Sequence, residues 1–344
     1  MFRHHPRCWS LAAILACCAV VGRAQELCGI DEIFYDGFET RSFVPITQIP
    51  GAVMSVGFAQ DITGALTVVA ITSPSGKTSA SRVDVTGTFA GPVNTGITVN
   101  GIYGVTVNGM FLVPDVPLIA GSNTLTVQAL TLTGQTETAS GSVTQGGLPP
   151  ATAIEPDHKF GYAPFVVNFT YTVDTLPSGK PVQSIAVNFR GTGADDYTGA
   201  LVGAPTSHTY TTPGLYSPRL LVTDTDGNTY AATQPILIQD IAAQRSMVCD
   251  VYAYLKDRMN APDATGAANV FQPADRDKYL TFFTALGTHL PTVAQQLGVI
   301  IDGQLGTGFA ELLLERDDTT AQTRTGFPLR MTQGSDGVWR ISEM

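Results

Sequence analysis

The sequence predicts a multidomain protein with two all-β sandwiches followed by a small α+β domain. Apolar and polar residues alternate with a period of two between residues 66 and 145, and further strand-like segments lie between 152 and 239. After Asp240 apolar residues recur at helical spacing, and strand-like segments return near the end of the chain. A chain of 344 residues also exceeds what one core usually organises, so domains of about 100 residues each are expected.

The composition narrows the classes of protein. A formal net charge of −10 argues against a nucleic-acid partner, because binding phosphate requires a basic face that displaces counterions. A hydrophobic fraction of 44% with 35 Gly and 21 Pro indicates packed cores joined by many turns. The sequence contains no Gly-x-Ser-x-Gly or His-Glu-x-x-His motif, and we therefore expect no enzyme, no cofactor and no metal site.

Residues 1–24 have the pattern of a secretory signal peptide. A basic front that includes Arg3 and Arg7 precedes an apolar run, and small residues end at Ala24. The run is shorter than the roughly 20 residues of a membrane-spanning helix, and no other stretch comes close. We expect a secreted, periplasmic or cell-surface protein without a transmembrane helix. A lipoprotein is the alternative, since the residues ending at Cys17 loosely resemble a lipidation box.

Two cysteines follow the predicted signal, Cys28 and Cys249. An oxidising compartment and the even number favour one intramolecular disulfide between them. Two separate thiols are the alternative, because the sequence does not fix the Cα separation that a disulfide requires.

Residues 25–65 show no clear period and are predicted to form a linker or a short docking segment. Within them, the IFYDGFE motif at residues 33–39 resembles a short motif of secreted proteins from gamma-proteobacteria. Its aromatic residues could anchor the segment on a neighbouring domain or recognise a partner, and the anchor is the favoured interpretation.

The region from 66 to 145 has the features of an immunoglobulin-like sandwich. Turn residues punctuate its short strands, and the pairs Asn100-Gly101 and Asn108-Gly109 favour type I′ hairpin turns. The segments ITSPSGKTSASRVDVTGTFAG, ITVNG and VTVNG resemble the glucodextranase B-type Ig-like domain. That resemblance implies an accessory sandwich without catalytic residues.

A second sandwich is predicted after the Gly146–Pro150 linker. The segments GYAPFVVNFTYTV and SHTYTTPGLYSPRLLVTDTDGNTY resemble a PKD domain across residues 152–239. Where that family usually has Trp-Asp-Phe-Gly-Asp-Gly, this chain has residues 187–193 without acids, and Asp195 and Asp196 follow in what we expect to be a solvated loop. No role of that turn is therefore carried over.

Two features of the second sandwich resemble functional sites. Asp224, Asp226 and Asn228 around Gly227 match the opening of a calcium loop, but the bidentate Glu is missing, so a hairpin turn is favoured. His208 is expected to bond locally within the PKD-like pattern and to have no catalytic role.

The region 241–344 is predicted to be an α+β module. Asp240 can cap a first helix that ends near Asn260, and a second helix begins around Pro273 and ends at Gly287. A third short helix at 291–297 and strands at 308–315, 323–331 and 338–342 follow, with Asp336-Gly337 as a hairpin turn. The arrangement resembles a tail module of proteobacterial surface proteins with Ig-like repeats, and the ending DGVWRISEM is similar to the last strand of NTF2-like cone folds.

The sequence as a whole resembles a secreted gamma-proteobacterial PKD domain-containing protein with a glucodextranase B-type Ig-like domain. It predicts a non-catalytic structural or adhesive spacer whose sandwiches bind a surface protein or a glycan. An alternative from another class is small-ligand binding, or a residual activity, in a cone-shaped C-terminal module. Tyr279, Phe282, Phe283 and Trp339 would line that pocket, although core packing explains the same aromatic residues.

Overall fold

In the computed structural model, the described residues are Phe34–Tyr35, 62–318 and 323–344. The predicted signal peptide and Cys28 lie outside them. The chain order begins with a two-residue strand, β1 (Phe34–Tyr35), which falls inside the predicted linker.

The first sandwich consists of two sheets that enclose an apolar core. Its strands are β2 (Val68–Ser73), β3 (Gly76–Thr78), β4 (Arg82–Ala90), β5 (Thr95–Val99), β6 (Ile102–Tyr103), β7 (Val105–Val107), β8 (Met110–Pro117), β9 (Gly121–Thr131) and β10 (Thr136–Gln145). One sheet has the order β2-β4-β8-β7 and the other β3-β10-β9-β5-β6. Fully buried residues from both sheets, such as Val85, Phe111 and Val127, form the core, as the period of two predicts.

The two Asn-Gly turns are confirmed. Asn100 and Gly101 have φ angles of 49° and 83°, and Asn108 and Gly109 have φ angles of 49° and 73°. Positive φ at both central positions is the requirement of a type I′ turn, and Asn and Gly tolerate it best. These turns fix the registers of the β5–β6 and β7–β8 hairpins.

The second sandwich is built from three small sheets. Its strands are β11 (Thr152–Pro156), β12 (Phe160–Tyr162), β13 (Phe165–Val173), β14 (Val182–Asn188), β15 (Tyr197–Gly199), β16 (Ser207–Tyr210), β17 (Gly214–Tyr216), β18 (Arg219–Asp224), β19 (Thr229–Thr233) and β20 (Ile236–Gln239). The sheet orders are β15-β14-β18-β19, β11-β13-β16 and β12-β20-β17. Val167, Ile185 and Leu220 are among the residues that fill its core.

The C-terminal domain packs helices against a five-stranded sheet. The helices are α1 (Ile241–Asn260), α2 (Ala264–Ala268), α3 (Arg276–Leu286) and α4 (Leu290–Gln296), and the strands are β21 (Val299–Gly306), β22 (Phe309–Asp318), β23 (Thr323–Gln333) and β24 (Trp339–Glu343). The predicted cap is confirmed, because the Asp240 carboxylate accepts hydrogen bonds from the backbone N–H groups of Ala242 and Ala243. Gly287 ends α3, also as predicted.

Strand β21 and helix α2 were not predicted from the sequence. The Asp302-Gly303 pair within β21 favours a turn, whereas the structure places it inside a strand with an irregular register. A Cβ atom on Gly303 would lie 2.9 Å from the Glu311 carbonyl oxygen, so glycine allows the close approach of β22.

The N-terminal segment contributes an edge strand to the C-terminal sheet. β1 pairs in parallel with β21, with Phe34 opposite Gln304 and Tyr35 opposite Leu305. Ile62, near the end of the predicted linker, is 1% exposed in the core of the C-terminal domain. Of the IFYDGFE motif, the described residues Phe34 and Tyr35 therefore belong to the C-terminal sheet, and Ile62 belongs to the core of the C-terminal domain.

The first sandwich contacts both other domains. Leu132 joins the core of the C-terminal domain. On its opposite end, Val107 and Leu112 pack against Leu237 of the second sandwich. Within the described part of the chain, no helix is long and apolar enough to cross a membrane.

Candidate binding surface

An open cleft lies where the first sandwich meets the C-terminal domain. Its volume is about 270 Å³. One wall is formed by strands β5 and β9 and by the β5–β6 turn, and the other wall is formed by the β23–β24 turn. The lining residues are Thr98, Gly101, Gln128, Leu130, Ser335 and Asp336. Hydroxyl, amide and carboxylate groups therefore converge on one space between two domains.

Two contacts hold the walls of the cleft together. The Asn94 side chain is 2% exposed, donates to the Trp339 carbonyl oxygen at 3.0 Å and accepts from the Trp339 N–H at 2.9 Å. Beside this pair, Gly96 meets the β23–β24 turn so closely that a Cβ atom would lie 2.2 Å from the Asp336 carbonyl oxygen. The cleft geometry thus depends on a glycine and on a buried amide.

A row of polar side chains crosses the outer face of the first sandwich beside the cleft. Tyr103 on β6 lies opposite Thr98 on β5, and Thr98 lies opposite Gln128 on β9. Gln128 in turn lies opposite Thr138 on β10. Directly paired residues on neighbouring strands point to the same face, with Cβ atoms about 4.5–5.5 Å apart. The row therefore runs over four strands, and the Tyr103 side chain at its end is 47% exposed.

The face around this row carries no charge on its three central strands. Outward positions of β9 and β10 bear hydroxyl groups, with Thr126 opposite Ser140 and Thr124 opposite Ser142. Asp336 on the far wall is the charged group of the cleft. Both of its carboxylate oxygens accept from Arg340 Nη1, at 2.9 and 2.8 Å, and one also accepts from the Val338 N–H.

Sequence reasoning did not find this surface. Asp336 was predicted only as a turn residue, and the period of two indicates which side chains of a strand face outward. The alternating Thr residues of β9 are the one available signal. The pairing of β9 with β5, and the approach of the β23–β24 turn, depend on residues far apart in the chain.

The residues that resemble a calcium loop form the predicted hairpin turn, around a buried carboxylate. Asp224 is 0% exposed, and it accepts from the Ser178 hydroxyl at 2.6 Å and from the N–H groups of Asp226 and Asn228 at 2.9 Å. The bond from Ser178, with those from Asn228 and Asp226, holds the pKa of Asp224 well below its usual range. Asp226 lies 3.3 Å from Lys180. Among the described residues, no group of three or more His, Cys, Asp or Glu could hold a metal ion.

Asp195 and Asp196 lie in an exposed loop, as predicted, and each also forms an ion pair. Asp195 pairs with Arg219 and Asp196 with Arg190, each at 2.8 Å. The turn at residues 188–194 is organised by Asn188. This residue is 1% exposed, donates to the Ala194 carbonyl oxygen at 2.8 Å and accepts from the Gly191 N–H at 2.7 Å.

His208 is held by aromatic contacts. Its ring stacks on Phe189 with a centroid distance of 4.7 Å and meets Tyr210 edge-on at 4.7 Å. Burial lowers the pKa of His208, so the neutral imidazole is favoured. The local role that the sequence predicts is thus a packing contact.

The four aromatic residues proposed to line a C-terminal pocket do not converge on one space. Phe283 and Trp339 are buried in the core at 3% and 5% exposure. Tyr279 stacks on Phe271 with ring centroids 3.6 Å apart, and Phe282 is 53% exposed. Core packing accounts for three of the four.

Cys249 lies on α1 and is 3% exposed. Because Cys28 lies outside the described residues, the pairing of these two cysteines stays a prediction.

No protein-family model matches the chain, and no curated protein matches it. Solved structures match about half of the chain at low similarity. The fibronectin(III)-like modules of CbhA from Clostridium thermocellum share 13% identity, with 50% of this chain and 95% of that chain covered and a TM-score of 0.21. Latent PorU from Porphyromonas gingivalis shares 10% identity, with 52% and 20% covered and a TM-score of 0.26. Domains 5-6 of the S-layer protein SbsC share 14% identity, with 52% and 100% covered and a TM-score of 0.25. At these TM-scores we base no argument on the likenesses.

Proposed function

We propose that the chain is a non-catalytic secreted or cell-surface protein that acts as an adhesive spacer. The observation that carries this proposal is the outer face of the first sandwich, which is rich in hydroxyl groups and carries no charge on its three central strands, next to an open polar cleft. The chain has a net charge of −10 and therefore repels other negatively charged surfaces. A face without charge offers hydrogen-bonding groups to a partner without adding to that repulsion. The partner is a surface protein or a glycan.

Retention on cell envelopes tests the proposed function. Labelled full-length exported chain should bind isolated envelopes of the producing bacterium saturably, and unlabelled chain should displace it. Thr126→Arg should reduce retention, because Thr126 lies in the middle of the uncharged face. Thr170→Arg, at an exposed position of the second sandwich, is the matched control and should retain binding. Saturable retention that Thr126→Arg leaves unchanged would contradict a role for this face.

Export is part of the same proposal. The basic front, the apolar run and the small residues up to Ala24 support cleavage before Gln25. Mass spectrometry of the exported chain should therefore show an N-terminus at Gln25. An acylated Cys17 at the N-terminus would instead establish the lipoprotein alternative.

The identity of the two sandwiches as a glucodextranase B-type Ig-like domain and a PKD domain also belongs to this proposal. It is supported by the order of sequence features and by the strands at those features, such as β16 at His208 and β18 at Leu220. The source in gamma-proteobacteria is supported by the sequence resemblance alone.

We also propose a disulfide between Cys28 and Cys249. Cys249 is 3% exposed on α1, and Cys28 is the other cysteine that follows the predicted signal. The bond would fix the N-terminal segment a few residues before β1, which already pairs with β21. Closing so long a loop restricts the unfolded chain, a contribution of about 5 kcal/mol in the chain-entropy model. Non-reducing peptide mapping should recover the Cys28–Cys249 peptide pair, and two free thiols would exclude it.

A further inference from the structure

We infer that the cleft and the adjoining row Tyr103–Thr98–Gln128–Thr138 form a binding site for a neutral carbohydrate chain. This inference rests on the proposed function and adds to it the ligand class and the residues that hold the ligand.

The charge of the surface selects a neutral, polar ligand. Thr98, Gln128 and Thr138 offer hydroxyl and amide groups that both donate and accept hydrogen bonds. A ligand rich in hydroxyl groups can pair with all of them. An acidic polymer would meet no cation on β5, β9 or β10 and would meet the Asp336 carboxylate in the cleft.

Tyr103 supplies an apolar surface at one end of the row. It lies on the edge strand β6, and its side chain is 47% exposed. One face of a sugar ring presents aliphatic C–H groups, so a flat aromatic ring can cover that face while the sugar hydroxyl groups reach the neighbouring polar residues. The register places Tyr103 beside Thr98, which lines the cleft.

Asp336 supplies an acceptor whose position is fixed. Its carboxylate is bound by Arg340, which is 2% exposed, and by the Val338 N–H, so the side chain does not need to be ordered when a ligand binds. Its side chain is 28% exposed on the cleft side. An ionised carboxylate accepts hydrogen bonds from hydroxyl groups more strongly than a neutral oxygen does.

The dimensions of the site fit a short stretch of a polymer. A cleft of about 270 Å³ is near the lower limit of small-molecule sites, about 300 Å³, and suits one sugar ring. Four strands spaced by about 4.8 Å extend the row to roughly 14 Å, which suits further rings. The open cleft allows the polymer to continue beyond the site in both directions.

Affinity electrophoresis of the full exported chain tests the site. Native gels contain a neutral polysaccharide, either dextran, mixed-linkage β-glucan, xylan or mannan, or the acidic polysaccharide alginate. We expect slower migration in at least one neutral gel and unchanged migration in alginate. Tyr103→Ala and Gln128→Ala should each weaken binding at least about tenfold. Tyr103→Phe should retain binding because it keeps the ring, and Thr170→Ala on the second sandwich is the matched control.

The outcomes separate this inference from the proposed function. If a neutral polysaccharide slows the chain, and Tyr103→Ala and Gln128→Ala do not change this effect, the proposed site is wrong. The chain would still be a glycan-binding protein. Retardation by alginate alone, or by no polysaccharide, would overturn the ligand class. Envelope retention that Thr126→Arg abolishes would then still support the proposed function, with a protein as the partner.

Discussion

Replacing Asn94 with alanine tests the contact that joins the first sandwich to the C-terminal domain. The variant removes one donor and one acceptor, and it leaves the buried N–H and C=O groups of Trp339 without their partner. An unsatisfied buried polar group costs about 1–3 kcal/mol, so the two groups together predict a loss of about 2–6 kcal/mol. Trp339 itself is 5% exposed, which limits replacement of these bonds by water.

Urea unfolding, monitored by tryptophan fluorescence, measures this loss in the free energy of unfolding. The chain has 2 Trp, and the other one, Trp9, lies in the predicted signal peptide, so emission of the exported chain reports on Trp339. With a slope of about 1–3 kcal/mol per molar urea, a loss of about 2–6 kcal/mol should lower the transition midpoint by about 0.7 M or more. The slope of the free energy of unfolding against urea concentration is taken from the transition that Trp339 reports, because a multidomain chain need not unfold in one step.

Gln128→Ala is the matched control, because Gln128 is an exposed amide on the same domain. Its free energy of unfolding should change by at most about 0.5 kcal/mol. If Asn94→Ala changes the midpoint no more than this control does, the buried Asn94–Trp339 pair does not join the two domains in solution. The structural account of the cleft would then fail as well.

Three further predictions address other contacts. Gly96→Ala should lower the thermal midpoint strongly in a thermal-shift assay, because its Cβ atom would lie 2.2 Å from the Asp336 carbonyl oxygen, and an unchanged midpoint would contradict that close approach. Lys159→Met should cost about 1–3 kcal/mol in urea unfolding, since Lys159 donates to Asp84 at 2.8 Å across the two sandwiches; a neutral result would show that this bridge contributes nothing. The pKa of Asp224 is lower in the folded protein than in the unfolded chain, where it is about 3.9. The contribution of Asp224 to the free energy of unfolding is therefore complete above about pH 3.9 and is lost as the pH falls towards the pKa of the folded state. Asp224→Asn should therefore destabilise the chain at pH 7 and flatten the acid branch of its stability–pH curve, and an acid branch equal to wild type would refute the assignment.

Local features of the sequence determined much of the secondary structure. The period of two reports which residues of a strand face the core, and it predicted the first sandwich, whereas the second was predicted from its resemblance to a PKD domain. The Asn100-Gly101 turn follows from the preference of this pair for positive φ angles. The helix cap follows from the Asp240 side chain, which accepts hydrogen bonds from nearby N–H groups. Both features depend only on a few neighbouring residues. The sequence likewise favoured the hairpin turn at Asp224 over a calcium loop, because a required ligand is missing.

Tertiary structure alone decided how the domains meet and where the cleft lies. β21 contains an Asp-Gly pair that favours a turn, and only its pairing with β22 makes it a strand. β1 becomes part of a sheet through partners about 270 residues away along the chain. Asn94 and Trp339 are separated by 245 positions, and neither residue carries a local signal of the other. Periodicity and turn preference depend on neighbouring residues, whereas register and domain contacts depend on which distant surfaces bury each other, and the candidate binding site is of the second kind.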